Sequence, residues 1–192
     1  MKSTFLPQKG GYRDLVVFQK TTCIYDITHY FAKTFLSSGD RTIDQMIQAA
    51  RSGRQSIAEG SAASTTSKET EIKLTNVAKA SLQELLLDYE DYLWQNNLEQ
   101  WQMTDQRTVK TREICKCHND TEYYMAQIPS RSAETIANIA IILIHQADAL
   151  LRLLIERQKK DFLEKGGIRE EMTRGRIQYR LQQGWKNGRS DK

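Results

Sequence analysis

Apolar residues recur along this chain at the helical period in four long runs. Val17, Ile24 and Phe31 repeat every seven residues, with Ile27 and Phe35 on the same face, and predict a first helix from about Asp14 to Leu36. Ser38-Gly39-Asp40 breaks the pattern: Gly39 suits a left-handed helix end and Asp40 a cap for the next helix. Ile43, Met46, Ile47, Ala50 and Ile57 predict that second helix. Its middle carries Ala49, Ala50, Ser52 and Gly53. Such small side chains let a neighbouring helix approach closely, although a helical glycine costs about 1 kcal/mol against alanine. Gly60 is expected to close the helix, and Ser61 to Ser67 to form a loop. Thr66 and Glu69 have the spacing of a capping box that opens the third helix. Leu74, Val77, Ala78, Leu82, Leu85, Leu86, Tyr89 and Leu93 predict that helix from Lys68 to Asn96. Ile136, Ile139, Ala140, Leu143, Ala147, Leu150, Leu151 and Leu154 predict a fourth after Pro129-Ser130. It reaches Lys165, where Gly166-Gly167 ends it.

Between Asn97 and Pro129 the pattern weakens, with a short helix expected after an Asp105 cap. After the glycine pair comes a tail helix, Ile168 to Gln182. On a helical wheel Ile168, Met172 and Tyr179 fall within about 40° of one another, and Arg169, Arg176 and Arg180 cluster beside them. The apolar strip is expected to dock on the body while the arginines stay presented. The chain thus divides into an N-terminal arm (1–11), a helical body (12–165, with 97–129 inserted) and a basic tail (166–192). The expected fold is all-α: an antiparallel up-and-down four-helix bundle with an inserted segment and a C-terminal tail helix.

Composition supports long helices, since 192 residues hold only two prolines and ten glycines. Charge adds a direction. From Arg157 to Lys192 there are eleven basic and five acidic residues, a net +6, which leaves −2 on the first 156 residues of a chain of net +4. Such an asymmetry suggests a tail with an anionic partner. Three cysteines, Cys23, Cys115 and Cys117, form no paired framework, and the start has no continuous apolar run; both point to a reducing, cytoplasmic setting. Ile136 to Ile155 is about as long as a membrane span, but Asn138, His145, Gln146, Asp148 and Arg152 interrupt it. A helix buried among helices is the expectation, with no membrane partner.

Candidate chemistry is sparse. Residues 52–69, SGRQSIAEGSAASTTSKE, have the glycine and hydroxyl content of a phosphate loop. A helix rather than a strand precedes them, and no lysine follows Gly60, so a helical hairpin turn is the better reading. Glu59 has no second acid or histidine at catalytic spacing, and an ion pair with Arg51 or Arg54, or across subunits, is expected of it. Cys115, Cys117 and His118 lack the second ligand pair that zinc needs, which leaves a polar surface helix. His145 reads as a core or interface histidine, and Trp94 as packed at the end of the third helix. Base stacking is the alternative for Trp94 and the candidate role for Trp101 and Trp185, Trp185 being the freest. No catalytic, cofactor or metal residue is expected. Arg169, Arg174, Arg176, Arg180 and Lys186 are the candidates for contact with RNA or DNA, because arginine forks match phosphate. Gly53, Glu59, Gly60, Thr66 and Glu69 are assigned structural or interface roles.

YRDLVVFQK (12–20), SIAEG (56–60), SKE (67–69) and ASLQEL (80–85) occur in that order. Together they resemble the bacterial four helix bundle protein family. That family includes proteins encoded in intervening sequences of 23S ribosomal RNA genes and is similar to the accessory protein of diversity-generating retroelements. The tail FLEKGGIREEMTRGRIQYR (162–180) resembles a suffix segment of one branch. The resemblance implies a homopentameric ring and, for accessory-type members, nucleic-acid binding beside a reverse transcriptase. Those members use a basic body. Here the body is net negative and Ile47-Gln48 stands where the family has an arginine pair, so binding is directed to the tail. Two functions follow as expectations: a non-enzymatic module that binds nucleic acid or a nucleic-acid-associated partner through its tail, or a structural ring whose tail clasps neighbouring subunits. The sequence names no particular protein partner.

Overall fold

The computed structural model describes residues 11–187, with side chains described through residue 183. Residues 1–10, the side chains of Trp185 and Lys186, and residues 188–192 lie outside that description. The structure is 83% helical with no strands among the described residues, so the fold is all-α.

A single 3-10 turn (Tyr12–Asp14) leads into α1 (Val16–Phe35), followed by α2 (Thr42–Ala63) and α3 (Lys68–Gln95). Two shorter helices, α4 (Gln106–Cys117) and α5 (Thr121–Gln127), and a 3-10 turn (Ile128–Ser130) precede α6 (Ala133–Lys165) and α7 (Ile168–Asn187). The long helices pack in a closed cycle: α1 on α2, α2 on α3, α3 on α6 and α6 on α1. Ile24, Ile27, Phe31, Met46, Leu82, Leu85, Tyr89, Leu143 and Ile144 fill the space between them and are fully buried. Phe31 meets Tyr89 and Tyr92 at ring-centroid distances of 5.0 and 4.8 Å. The Tyr89 hydroxyl donates to Thr28 Oγ1 at 3.0 Å, so the fully buried hydroxyl of this aromatic cluster is satisfied.

Gly53 sits where α2 packs against Leu82 and Ala78 of α3. A Cβ there would lie 2.9 Å from Leu82 Cδ2, which is the physical reason for glycine in a helix interior. Ser52 and Ser81 bond beside it at 2.9 Å. The expected loop from residue 61 is largely helix instead. α2 runs through Gly60 to Ala63, and Gly60 is a second close approach: a Cβ would lie 3.3 Å from the Glu71 carbonyl oxygen and from Leu74 Cβ. Gly60 is therefore a packing glycine, not a helix stop. The cap of α3 also shifts by one residue. Ser67, in extended backbone, accepts from the Thr70 amide at 3.1 Å, whereas Thr66 donates back to the Ala63 carbonyl and Glu69 closes no box. Asp40 caps as expected, accepting from the Thr42 amide at 2.8 Å beside Gly39 at φ +90°.

The inserted segment is part of the core. α4 starts at its Asp105 cap, and α5, which the sequence pattern does not announce, starts at an Asp120 cap. α4 packs on α6 and α5 on α1, and Cys115, Tyr124 and Ile128 join the buried cluster. The apolar window of α6 is long enough to cross a membrane by length and composition, and half of it is buried against the other helices.

Candidate interaction surface

α7 begins at the end of α6 through two glycines. Gly166 takes φ +74°, the left-handed conformation that glycine tolerates, and the Gly167 amide donates to Glu170 Oε2 at 3.0 Å. Glu170 and Glu171 occupy the first turn, where the helix dipole favours acids. Arg174 reaches back so that its guanidinium donates to the Lys165 carbonyl, one of the unpaired carbonyls at the C-terminus of α6.

Beyond this joint, α7 is exposed. Met172 is 48% and Tyr179 63% accessible, and Ile177 and Leu181 are exposed on another side. The expected docking of the apolar strip on the body does not occur. The surface beside α7 explains why. The intervening cleft is mostly polar, lined by Thr66, Ser67, Lys68, Glu69, Arg169 and Glu170, and its large apolar side chains are Phe162 and Ile168 at the joint itself, short of Met172 and Tyr179. Arg169, Arg176 and Arg180 are exposed on one strip and form no ion pair among the described residues. Of the five expected phosphate-contacting residues, these three share a face, Arg174 serves the joint, and the Lys186 side chain is outside the described residues.

The other expected sites resolve as follows. Glu59 is exposed and accepts from Gln55 Nε2 at 2.8 Å, so a buried ion pair within the chain is not its role. Arg54 instead lies over the Tyr25 ring, 4.1 Å from its centroid. His145 is exposed rather than in the core, and Trp94 is 85% accessible rather than packed. Trp101 is half-buried under the Arg107 guanidinium, 5.0 Å from its ring. Among the described residues no three His, Cys, Asp or Glu side chains converge on a point that could hold a metal. Cys117 is exposed, Cys115 is buried, and His118 stacks on Tyr123 at 3.6 Å, so this stretch is a polar surface helix whose end packs inward.

The reason for that packing is Lys20, which the sequence reading passes over. Lys20 is 2% exposed, and its Nζ donates to the Cys115 carbonyl at 2.6 Å. The carbonyl belongs to the last turn of α4, where backbone acceptors lack helical donors and the dipole favours a cation. Burial lowers the Lys20 pKa, opposed by the nearby Cys115 and Cys23 thiols. Burial likewise pushes the Cys23 thiol up to about 11, which leaves it protonated and unreactive at neutral pH. The signal was present: Lys20 falls three residues after Val17 and four before Ile24, inside the apolar stripe of α1.

A second buried polar group lies where α6 crosses the start of α3. Gln158 Nε2 donates to Thr75 Oγ1 at 3.0 Å and reaches Glu71 Oε1 at 3.4 Å, beneath a cleft of about 270 Å³. Gln158 thus ties the two helices together at the floor of the cleft.

No family model matches the chain, and neither a curated protein nor a solved structure matches it. The resemblance to the four helix bundle family therefore rests on the quoted motifs alone.

Proposed function

We propose that this chain is a non-enzymatic, self-associating protein in which α1, α2, α3 and α6 form an antiparallel up-and-down four-helix bundle and α7 is its interaction arm. One observation carries the reading: α7 exposes an apolar strip and an arginine strip side by side, with no partner for either among the described residues. A helix of this kind gains little stability alone in water, so its face is there for contact. Homo-oligomerisation, the ring implied by the family resemblance, fits such an arm. Light scattering tests the reading. The full chain is expected to sediment and scatter as an oligomer, and Met172→Ser with Tyr179→Ser to lower its mass. A full chain that is monomeric throughout the micromolar range would sink it.

A second reading has its own observation. Arg169, Arg176 and Arg180 form an unpaired strip of guanidinium forks, the geometry that suits phosphate. On this reading α7 binds RNA or DNA. Anisotropy of a labelled oligonucleotide, titrated with salt, is then expected to show a slope of about 0.9 per phosphate contacted on duplex. Replacement of the three arginines by glutamine is expected to abolish binding.

A further inference from the structure

α3 exposes a stripe that no other element covers among the described residues. Leu87 is 60% and Trp94 85% accessible, and the exposed Ala80 continues the same line at seven-residue spacing. Three residues before each large apolar side chain stands an exposed acid, Glu84 before Leu87 and Asp91 before Trp94. Neither acid has an ion-pair partner among the described residues. Asp88 lies between them with a buried, unpartnered Oδ2.

The pattern on α7 is the same with the charge reversed. Met172 and Tyr179 are seven apart, and Arg169 and Arg176 stand three residues before them. In both helices the charged edge lies about 60° to the same side of the apolar line. When two helices pack face to face, edges on the same side meet only if the helices run antiparallel, as in antiparallel coiled coils. One register satisfies both strips. Leu87 faces Tyr179 and Trp94 faces Met172, while Asp91 meets Arg176 and Glu84 meets Arg180. Gly175, between Met172 and Tyr179, leaves room for an indole.

The chain cannot make this contact with itself. α6 runs antiparallel to α3: Asn138 near its start bonds Glu99 and Trp101, and Gln158 further along bonds Thr75. α7 starts beside Thr66 to Glu69, at the opposite end of α3 from the stripe. Met172 is four residues into α7, about 6 Å, whereas Trp94 is about 39 Å along α3 from Lys68. Folding α7 back would also lay it parallel to α3, the wrong polarity.

We infer that the α3 stripe Glu84–Leu87–Asp91–Trp94 is the docking surface for α7 of a second copy of this chain, packed antiparallel. This rests on the reading of α7 as a self-association arm and names where the arm lands. Charge swapping in the full chain tests it, with sedimentation equilibrium as the readout. Glu84→Lys with Asp91→Lys is expected to weaken self-association about tenfold or more. Arg176→Glu with Arg180→Glu is expected to do the same. Mixing those two variants, or combining all four substitutions in one chain, restores association. If Met172→Ser with Tyr179→Ser disperses the oligomer while every α3 variant leaves it intact, the landing site is wrong and the arm reading stands. If α3 and α7 variants alike leave an oligomer unchanged, both fail. Loss of salt-dependent oligonucleotide binding in Arg176→Glu with Arg180→Glu, with association unchanged, overturns both in favour of the nucleic-acid reading.

Discussion

A buried lysine with one protein hydrogen bond is a costly core residue, and Lys20 is justified only if the acceptor it meets would otherwise go unpaired. The Cys115 carbonyl is such an acceptor, exposed by the end of α4 and shielded from solvent by α1. Lys20→Met fills the space but leaves that carbonyl alone, at a cost of about 1–2 kcal/mol. The loss falls on α4 and α5 rather than on the whole fold. Hydrogen exchange in residues 106–127 is expected to quicken about tenfold, with α2 and α3 unchanged; uniform protection in the variant would show that Lys20 holds nothing. Asp88 makes the opposite case. Burial first, then the charges of Glu84 and Asp91, push its carboxyl up to about 6. The folded state then holds this proton more tightly than the unfolded chain between the ordinary carboxylate range and pH 6, so stability falls as pH rises through that window. Asp88→Asn removes the effect. Its melting temperature is expected to exceed the parent's by roughly 2–4 °C above pH 6.5, about 1 kcal/mol once the partial exposure is counted, and to match it near pH 4. Neither residue's state was legible in sequence. The apolar stripe of α1 marks position 20 as facing inward, but which carbonyl it meets depends on a segment ninety-five residues away.

At the scale of elements, the four long helices were readable because each carries an unbroken 3.6-residue stripe. The errors fall where two local rules competed. Gly60 follows the last strongly apolar residue of α2 and looks like a stop, yet it is buried against the Glu71 carbonyl, so a contact between helices decided it. Thr66 and Ser67 are both good caps, and the extended backbone of Ser67 settled the choice. The inserted segment gave little pattern because it puts few residues, among them Cys115, Tyr124 and Ile128, into the core and is otherwise held by polar attachments. Asn138 Nδ2 donates to the Glu99 and Glu134 carbonyls at 2.8 and 2.9 Å, and its Oδ1 accepts from the Trp101 amide at 2.8 Å. Gln146 reaches the Arg112 carbonyl at 2.9 Å. Asn138→Leu, a near match in volume, strands the Trp101 amide and the Glu99 carbonyl. A loss of about 2–4 kcal/mol is expected, with red-shifted Trp101 emission as the segment opens; an unchanged melting temperature would mean the segment is held elsewhere.

For the whole molecule the charge asymmetry acquires a direction. The first 156 residues, at net −2, and residues 157–192, at net +6, attract between copies as well as within one, and the α3 stripe places acids where another copy's arginines could reach them. The apolar half of that contact was visible on the tail as a strip. What the sequence could not show is that the strip finds no groove on its own body, because that depends on which polar residues line the joint. Exposed ion pairs are worth little singly, so assembly must combine the two strips and should weaken as salt screens one of them. This reaches stability through mass action: a partner that binds only the folded chain raises its melting temperature, and more so at higher concentration. The full chain is expected to melt several degrees higher at 100 µM than at 1 µM in low salt. In 0.5 M salt, or with Arg176→Glu and Arg180→Glu, the dependence is expected to flatten. A melting temperature independent of concentration in low salt would mean that α7 adds nothing to the stability of the folded chain through a second copy.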